Sequence, residues 1–186
     1  MRPAAARAVP SRPASRLDRQ VPALRRPDLL AFLPERLFTP DRPLAYVAVA
    51  WLLALIPSLI LSVVINSVAP GNGPELPAVA PGLLFFLLVI FAPVVETIIM
   101  GCVLLVLNRL FGFLPAILLS AAGWGVAHSL QAPAWGLVIW WPFLIFSTCF
   151  LVWRQRSLWA AFAVPAVVHG LQNLGPALLA AGGIGG

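Results

Sequence analysis

The chain has 186 residues, of which 61% are hydrophobic and 10% are charged, whereas about a quarter of the residues in a typical soluble domain are charged. This composition excludes an ordinary soluble domain and indicates an integral membrane protein. The net charge of +6 does not indicate a nucleic-acid-binding groove, because nine of the twelve basic residues, all of them arginines, lie between Arg2 and Arg42. We therefore expect membrane lipids as partners and no nucleic acid.

The sequence predicts that residues 1–43 form a basic N-terminal tail that is disordered or amphipathic. Its first 26 residues are rich in Ala, Pro and Arg, and they contain no apolar stretch long enough for the core of a signal peptide. A disordered tail on anionic lipid headgroups is the interpretation that we favour, with an organelle transit peptide as the alternative. Residues 28–38 predict a short interfacial helix that turns four leucines toward lipid: Leu29, Leu30, Leu33 and Leu37.

Five apolar segments follow, at about residues 44–69, 83–107, 113–130, 134–152 and 157–181. Each is close to the roughly 20 residues with which a helix crosses the hydrocarbon core. These segments must be helices, because a spanning backbone has to satisfy its own polar groups. The predicted fold is therefore all-α: a polytopic membrane domain of about five transmembrane helices over residues 44–186, preceded by the disordered basic tail.

The arginines predict how these helices are oriented in the membrane. Besides the tail, only two predicted loops contain them, with Arg109 after the second span and Arg154 and Arg156 after the fourth. Because basic residues concentrate on the cytoplasmic side, the N-terminus is predicted in the cytoplasm and the C-terminus outside. The absence of lysine, with abundant Ala, Arg and Pro, favours a prokaryotic cell membrane.

Scarce polar residues within the apolar segments mark a candidate site. Glu96 is the only acidic residue after Leu76, and an ionisable group at the bilayer centre costs about 2.5–3.5 kcal/mol or more on insertion. The only two histidines, His128 and His169, lie in two other spans, and Asn173 follows one helical turn after the second histidine. Each residue alone is also compatible with a packing or hydrogen-bonding role. Together they predict one site shared by three helices.

Prolines precede two of these polar residues in their spans. Pro93 lies three residues before Glu96, and Pro165 lies four residues before His169. A proline inside a helix removes one hydrogen bond and clashes with the carbonyl four residues earlier. The sequence therefore predicts a kink just before Glu96, with a backbone carbonyl that needs another partner.

At these residues the chain resembles the CPBP family of intramembrane proteases, also called the Abi or CAAX-protease family. One family motif is an aromatic residue, three further residues and a histidine, which Trp124 and His128 match. Another is a histidine, three residues and Asn or Asp, which His169 and Asn173 match. The motifs occur in the family order within residues 83–178.

The remaining family motif is matched only in part. In the family it is a Glu–Glu pair followed after three residues by Arg, often with Ala-Pro before it. Here Ala92, Pro93 and Glu96 match, whereas Thr97 stands at the second glutamate and Gly101 at the arginine. No family role carries over to these last two positions.

The resemblance implies an intramembrane endopeptidase that acts on membrane-associated proteins or peptides. It implies that Glu96 and His128 activate water, and that His169 and Asn173 hold the water or stabilise the oxyanion. Whether a metal takes part in catalysis is unsettled for the family. In this chain Glu96, His128 and His169 could supply three zinc ligands, with a fourth position left for water. If all three bound zinc, no second acid would remain to act as base.

Two alternatives to a protease stay open, and one expectation opposes a shared site. The first alternative is a catalytically inactive relative that acts as a membrane scaffold or binding protein, which Thr97 and Gly101 favour. The second is a small proton or ion pathway. Counted from the predicted span ends, Glu96 and His169 lie near mid-membrane and His128 near the outer end, which is a depth mismatch of roughly 8–10 Å for upright helices.

Overall fold

The computed structural model describes residues 24–71 and 73–181, and within these residues the chain forms helices and turns without any β-strand. Five long helices follow one another: α1 (Pro43–Val68), α2 (Pro81–Phe111), α3 (Phe113–Ser129), α4 (Gly136–Trp153) and α5 (Leu158–Ala181). Two single-turn 3-10 helices, Asp28–Leu30 and Glu35–Phe38, precede them. The predicted all-α membrane fold is confirmed.

Four of the five helices, α1, α2, α4 and α5, are long and apolar enough to cross a membrane. The predicted third span is the apolar helix α3, which has 17 residues and falls short of that length. A single residue, Gly112, joins α2 to α3 with φ of 82°, in a backbone region that glycine enters without steric cost. The two helices therefore form a tight antiparallel hairpin.

Helix α4 is the centre of the bundle. Of its span, 72% is buried, compared with 17–33% in the other three spanning helices, and every residue from Pro142 to Trp153 is buried. It packs against α1, α3 and α5. The outer helices expose leucine, isoleucine and valine side chains along much of their length, as expected for surfaces that face lipid.

A π-helical turn, Leu87–Phe91, interrupts the α-helical hydrogen bonding of α2 just before Pro93. Within it the Ala92 amide bonds to the Leu87 carbonyl, five residues earlier. Such wide turns accommodate irregularities in a helix and occur often at functional sites. The helix therefore continues past the proline, and Glu96 lies one turn further along.

The prediction of an interfacial helix over residues 28–38 is wrong. The segment forms two separate 3-10 turns, since Pro34 supplies no amide hydrogen for a continuous helix. Leu29 is exposed as expected, but the other three leucines are buried in the protein core: Leu30, Leu33 and Leu37.

Two backbone carbonyls of the segment 28–38 accept hydrogen bonds from side chains. The Arg26 guanidinium donates to the Leu33 carbonyl over 2.6 Å, and the Tyr46 hydroxyl donates to the Leu37 carbonyl over 2.8 Å. These two carbonyls of irregular backbone are therefore satisfied where the segment lies against the helices. The predicted disorder of residues 1–23 lies outside the described residues and stays a prediction.

The ends that contain arginine lie together. The Arg156 guanidinium, just beyond α4, donates to the Pro40 carbonyl, just before α1. The rings of Tyr46, at the start of α1, and Trp153, at the end of α4, are 5.2 Å apart. The rings of Phe38, before α1, and Phe113, at the start of α3, are 6.5 Å apart, so the turn between α2 and α3 lies here too. We call this side of the bundle the arginine end; it contains Arg42, Arg109, Arg154 and Arg156.

Candidate active site

The structure brings together the three ionisable side chains of the apolar segments. The Glu96 carboxylate oxygen Oε2 lies 4.0 Å from His128 Nε2 and 3.9 Å from His169 Nε2. Both imidazoles are buried, whereas a quarter of the Glu96 side chain is exposed. The carboxylate, on α2, thus meets histidines from α3 and α5.

The expected depth mismatch is wrong, and the α2–α3 hairpin explains why. Glu96 lies sixteen residues before Gly112, and His128 lies sixteen residues after it. In an antiparallel hairpin with equal rise per residue, the two side chains are at the same height. The expectation assumes that each span is centred in the bilayer. Helix α2, however, has 31 residues and extends well past the end of the 17-residue α3 that is remote from Gly112.

A backbone contact orients His128. Its Nδ1 lies 2.8 Å from the Trp124 carbonyl oxygen, which can only accept a hydrogen bond. Nδ1 therefore has the proton, and Nε2 of the neutral imidazole turns a lone pair toward Glu96. The sequence motif of an aromatic residue four positions before the histidine thus supplies a carbonyl as well as a ring.

Aromatic side chains of α4 and of Trp135, the residue just before it, hold both imidazoles. Phe146 stacks on His169 with ring centroids 4.7 Å apart, and Trp135 meets His128 edge-on at 4.5 Å. Phe143 contacts both rings, at 5.4 Å from His169 and 5.6 Å from His128. These three residues are not among the predicted site residues, because the signal for those was a scarce polar group in an apolar segment. The spacing of Phe143 and Phe146 on one helical face was the available signal.

Asn173 is bound to the π-helical turn of α2. Its Nδ2 donates to the Leu88 carbonyl over 3.0 Å. The π pattern would pair this carbonyl with the amide of Pro93, five residues later, but proline has no N–H. The Asn173 amide therefore replaces the missing backbone donor. Its predicted role toward an oxyanion stays a prediction.

Two neighbours of Asn173 also fix α5. Gly170 lies so close to α2 that an added Cβ would be 2.8 Å from the Val89 carbonyl oxygen. Gln172 faces another helix and donates to the Ser58 hydroxyl of α1 over 2.7 Å. Small and amide residues commonly mediate such helix contacts in membranes. This end of α5 is thus tied to α1 and α2.

A cavity of about 490 Å³ opens beside the three ionisable groups. Glu96, His128, His169 and Asn173 are among the residues that line it. Helix α1 contributes a polar stripe with a spacing of four residues, and α4 contributes an apolar wall. The stripe consists of Ser58, Ser62 and Asn66, and the wall contains Val138, Ile139 and Pro142.

A zinc ion does not fit the site as it is arranged. An ion held tetrahedrally at about 2.0–2.2 Å from each ligand would bring the ligand atoms to about 3.4 Å from one another. Here the Glu96 oxygen is 3.9 and 4.0 Å from the two imidazole nitrogens. Among residues 24–71 and 73–181, no group of three His, Cys, Asp or Glu side chains could hold a metal ion. No catalytic step is therefore assigned to a metal.

The two positions that depart from the family motif face the packed side of α2. Thr97 is buried, and its hydroxyl has no hydrogen-bond partner in the described part of the chain. At Gly101, an added Cβ would overlap the rings of Phe150 and Phe162. A glutamate and an arginine at these positions would be neighbours on one helical face. Both are absent here, and two phenylalanines fill the space beside Gly101.

Comparisons with known proteins identify the family of the chain. Neither the curated proteins nor the solved structures that were searched gave a match. A family model described as "Type II CAAX prenyl endopeptidase Rce1-like" matches residues 78–175, which is more than half of the chain and includes all four candidate site residues. The resemblance inferred from the motifs is confirmed, and the chain belongs to the Rce1-like family of CAAX-type endopeptidases.

Proposed function

We propose that the protein is an intramembrane endopeptidase that hydrolyses peptide bonds of membrane-associated proteins or peptides with water activated by Glu96 and His128. One observation carries this proposal: a carboxylate lies within 4.0 Å of two imidazole nitrogens, and all three side chains line one cavity. Peptide hydrolysis requires a base, a water molecule held against the carbonyl carbon, and a donor for the developing oxyanion.

The separation of Glu96 and His128 supports water activation. At 4.0 Å their nearest atoms are too far apart for a direct hydrogen bond, but a water can bridge them. Both groups can accept from that water, because His128 Nε2 has a lone pair toward the carboxylate. The water oxygen then attacks the peptide carbonyl carbon while its proton moves to the carboxylate. Breaking the C–N bond transfers this proton to the leaving amine.

His169 is suited to the opposite task. Its Nδ1 is buried and has no hydrogen-bond partner in the described part of the chain. A proton on that nitrogen would leave a buried donor unpaired, so the proton is better placed on Nε2. Nε2 then faces the cavity as a donor, which can stabilise the oxyanion of the tetrahedral intermediate. The two histidines thus differ in role: one accepts and one donates.

Replacing Glu96 by glutamine tests the proposal. The amide keeps the shape of the side chain but cannot take a proton from water, so cleavage of a membrane-anchored candidate substrate should fall by about 10²–10⁴-fold. Glu35→Gln is a matched control, because the Glu35 side chain is 87% exposed and does not line the cavity. Equal cleavage by the Glu96→Gln variant and the unchanged protein would reject the proposal.

A catalytically inactive relative that binds or scaffolds other membrane proteins is the second candidate. The observation that favours it is the combined loss of the family glutamate and arginine at Thr97 and Gly101. If Glu96→Ala and His169→Ala variants fold normally and keep the cellular phenotype, binding is the function. If the phenotype disappears together with cleavage, catalysis is the function.

We infer that the N-terminus lies in the cytoplasm of a prokaryotic cell and that the C-terminus lies outside. The gathering of Arg42, Arg109, Arg154 and Arg156 at one end of the bundle supports this orientation. Fusing a reporter that works only in the cytoplasm to either terminus tests it. Activity at the C-terminal fusion and none at the N-terminal fusion would contradict the orientation.

A further inference from the structure

We propose that the site takes its substrate from the side of the membrane opposite the arginines, as an extended apolar peptide segment that enters the bilayer from outside the cell. This inference rests on the proposed function, and it adds the side of entry and the class of substrate. Three features carry it: the height of the site, the direction of the cavity and the chemistry of the cavity walls.

The catalytic groups lie far from the arginine end. Sixteen residues separate Gly112 from Glu96 along α2 and from His128 along α3, which is about 24 Å at 1.5 Å per residue. The hydrocarbon core is about 30 Å thick. Helix α3 ends at Ser129, one residue after His128. The site therefore lies in the half of the membrane that is remote from the arginines.

The cavity continues in the same direction. From Glu96 and the histidines it follows α1 from Leu55 to Ala69, just past the end of the helix, and it reaches Gly73, Pro74 and Leu76 in the following loop. Toward the arginine end the bundle is solid instead. Met100 and Leu104, the next turns of α2 after Glu96, are fully buried, and so is Phe150 of α4. A substrate can therefore reach the carboxylate through the arginine-free side and not through the packed core.

The charge distribution assigns this open side to the exterior. All arginines of the described residues lie in the N-terminal segment or in the turns at the ends of α2 and α4. The described residues of the two loops at the open end, 69–80 and 130–135, contain one charged side chain, Glu75. By the positive-inside rule the open end faces away from the cytoplasm.

The walls of the cavity fit an extended peptide. Ser58, Ser62 and Asn66 recur every four residues and so form a line along one face of α1. These polar side chains can hydrogen-bond to the backbone of an extended strand, and Val138 and Ile139 of α4 offer an apolar wall for its side chains. The substrate class is thus an unfolded apolar segment next to a membrane span, whose backbone needs partners inside the bilayer.

Cysteine labelling tests the side of access without requiring catalysis. In a background with Cys102→Ala and Cys149→Ala, an Asn66→Cys variant places a thiol in the cavity, and an Arg109→Cys variant places one at the arginine end. A membrane-impermeant maleimide should label the first variant in intact cells and the second only in inverted vesicles. Labelling of the Asn66→Cys thiol only from the cytoplasmic side would overturn the proposal.

A pair of reporter substrates tests the side of cleavage. Each is a single-span protein with the same cleavable apolar segment, placed next to the span either outside the cell or in the cytoplasm. Cleavage of the external reporter alone, abolished by Glu96→Gln, is expected. Glu96-dependent cleavage of the cytoplasmic reporter alone overturns the side of entry but not the proposed function. External labelling without Glu96-dependent cleavage of either reporter overturns the proposed function itself.

Discussion

The hydrogen bond between Asn173 and the Leu88 carbonyl predicts a specific rescue by a second substitution. Asn173→Ala removes the donor that replaces the missing amide of Pro93. A fully buried carbonyl that loses its partner costs about 1–3 kcal/mol. Because this hydrogen bond is only partly buried, the free energy of unfolding should fall by about 1–2 kcal/mol, in the lower part of that range. Because the π-helical turn sets where α2 continues toward Glu96, cleavage should fall as well.

Pro93→Ala restores a backbone N–H at the position where the π pattern pairs with Leu88. In a Pro93→Ala background, Asn173→Ala should therefore cost less than about 1 kcal/mol, because the carbonyl keeps a donor. Cleavage by the double variant should approach that of Pro93→Ala alone. Unfolding in detergent micelles measures the stability, and turnover of one membrane-anchored peptide measures the cleavage.

Gln172→Ala provides a matched control for this cycle, because this neighbouring amide donates to the Ser58 hydroxyl of α1 and not to the π-helical turn. Its effect should be the same whether residue 93 is proline or alanine. The reasoning is refuted if Asn173→Ala lowers cleavage equally in both backgrounds. That result would mean that the Asn173 amide acts on the reacting groups themselves, as the family resemblance implies.

Three further predictions concern packing and metal. Gly101→Ala should destabilise the protein by about 1–3 kcal/mol, because the new methyl overlaps two phenylalanine rings. Gly123→Ala should not, because there is open space around Gly123. Equal unfolding temperatures of the two variants would contradict the close packing around Gly101. Phe143→Leu should lower kcat more than Ile145→Leu, because Phe143 contacts both imidazoles and Ile145 is only another buried residue of α4. Steady-state cleavage measures both variants. Equal losses of kcat would argue against a role of Phe143 in positioning the imidazoles. A chelator should leave cleavage unchanged, because the carboxylate–imidazole distances do not fit zinc; loss of activity that returns with added zinc would reverse this conclusion.

The bundle could be predicted from the sequence because each part of that prediction rests on a local property. Long apolar segments must be helices in lipid, and the arginine positions indicate which ends share a side. The same reasoning failed at residues 28–38. The pattern of leucines there fits a lipid-facing helix, but Leu30, Leu33 and Leu37 are buried against other helices. Their neighbours are distant in sequence, so no local pattern distinguishes lipid from protein as the apolar surroundings.

The sequence by itself determined which side chains are costly in a membrane and therefore candidates for function: Glu96, His128, His169 and Asn173. The tertiary structure decided what each can do. The turn at Gly112 places Glu96 and His128 at one height, and Trp124 fixes the proton on His128. Helix α4 and Trp135 just before it supply aromatic rings beside both histidines. The physical reason is that insertion cost belongs to a residue and its segment, whereas orientation and proton position depend on carbonyls and rings that only helix packing brings near.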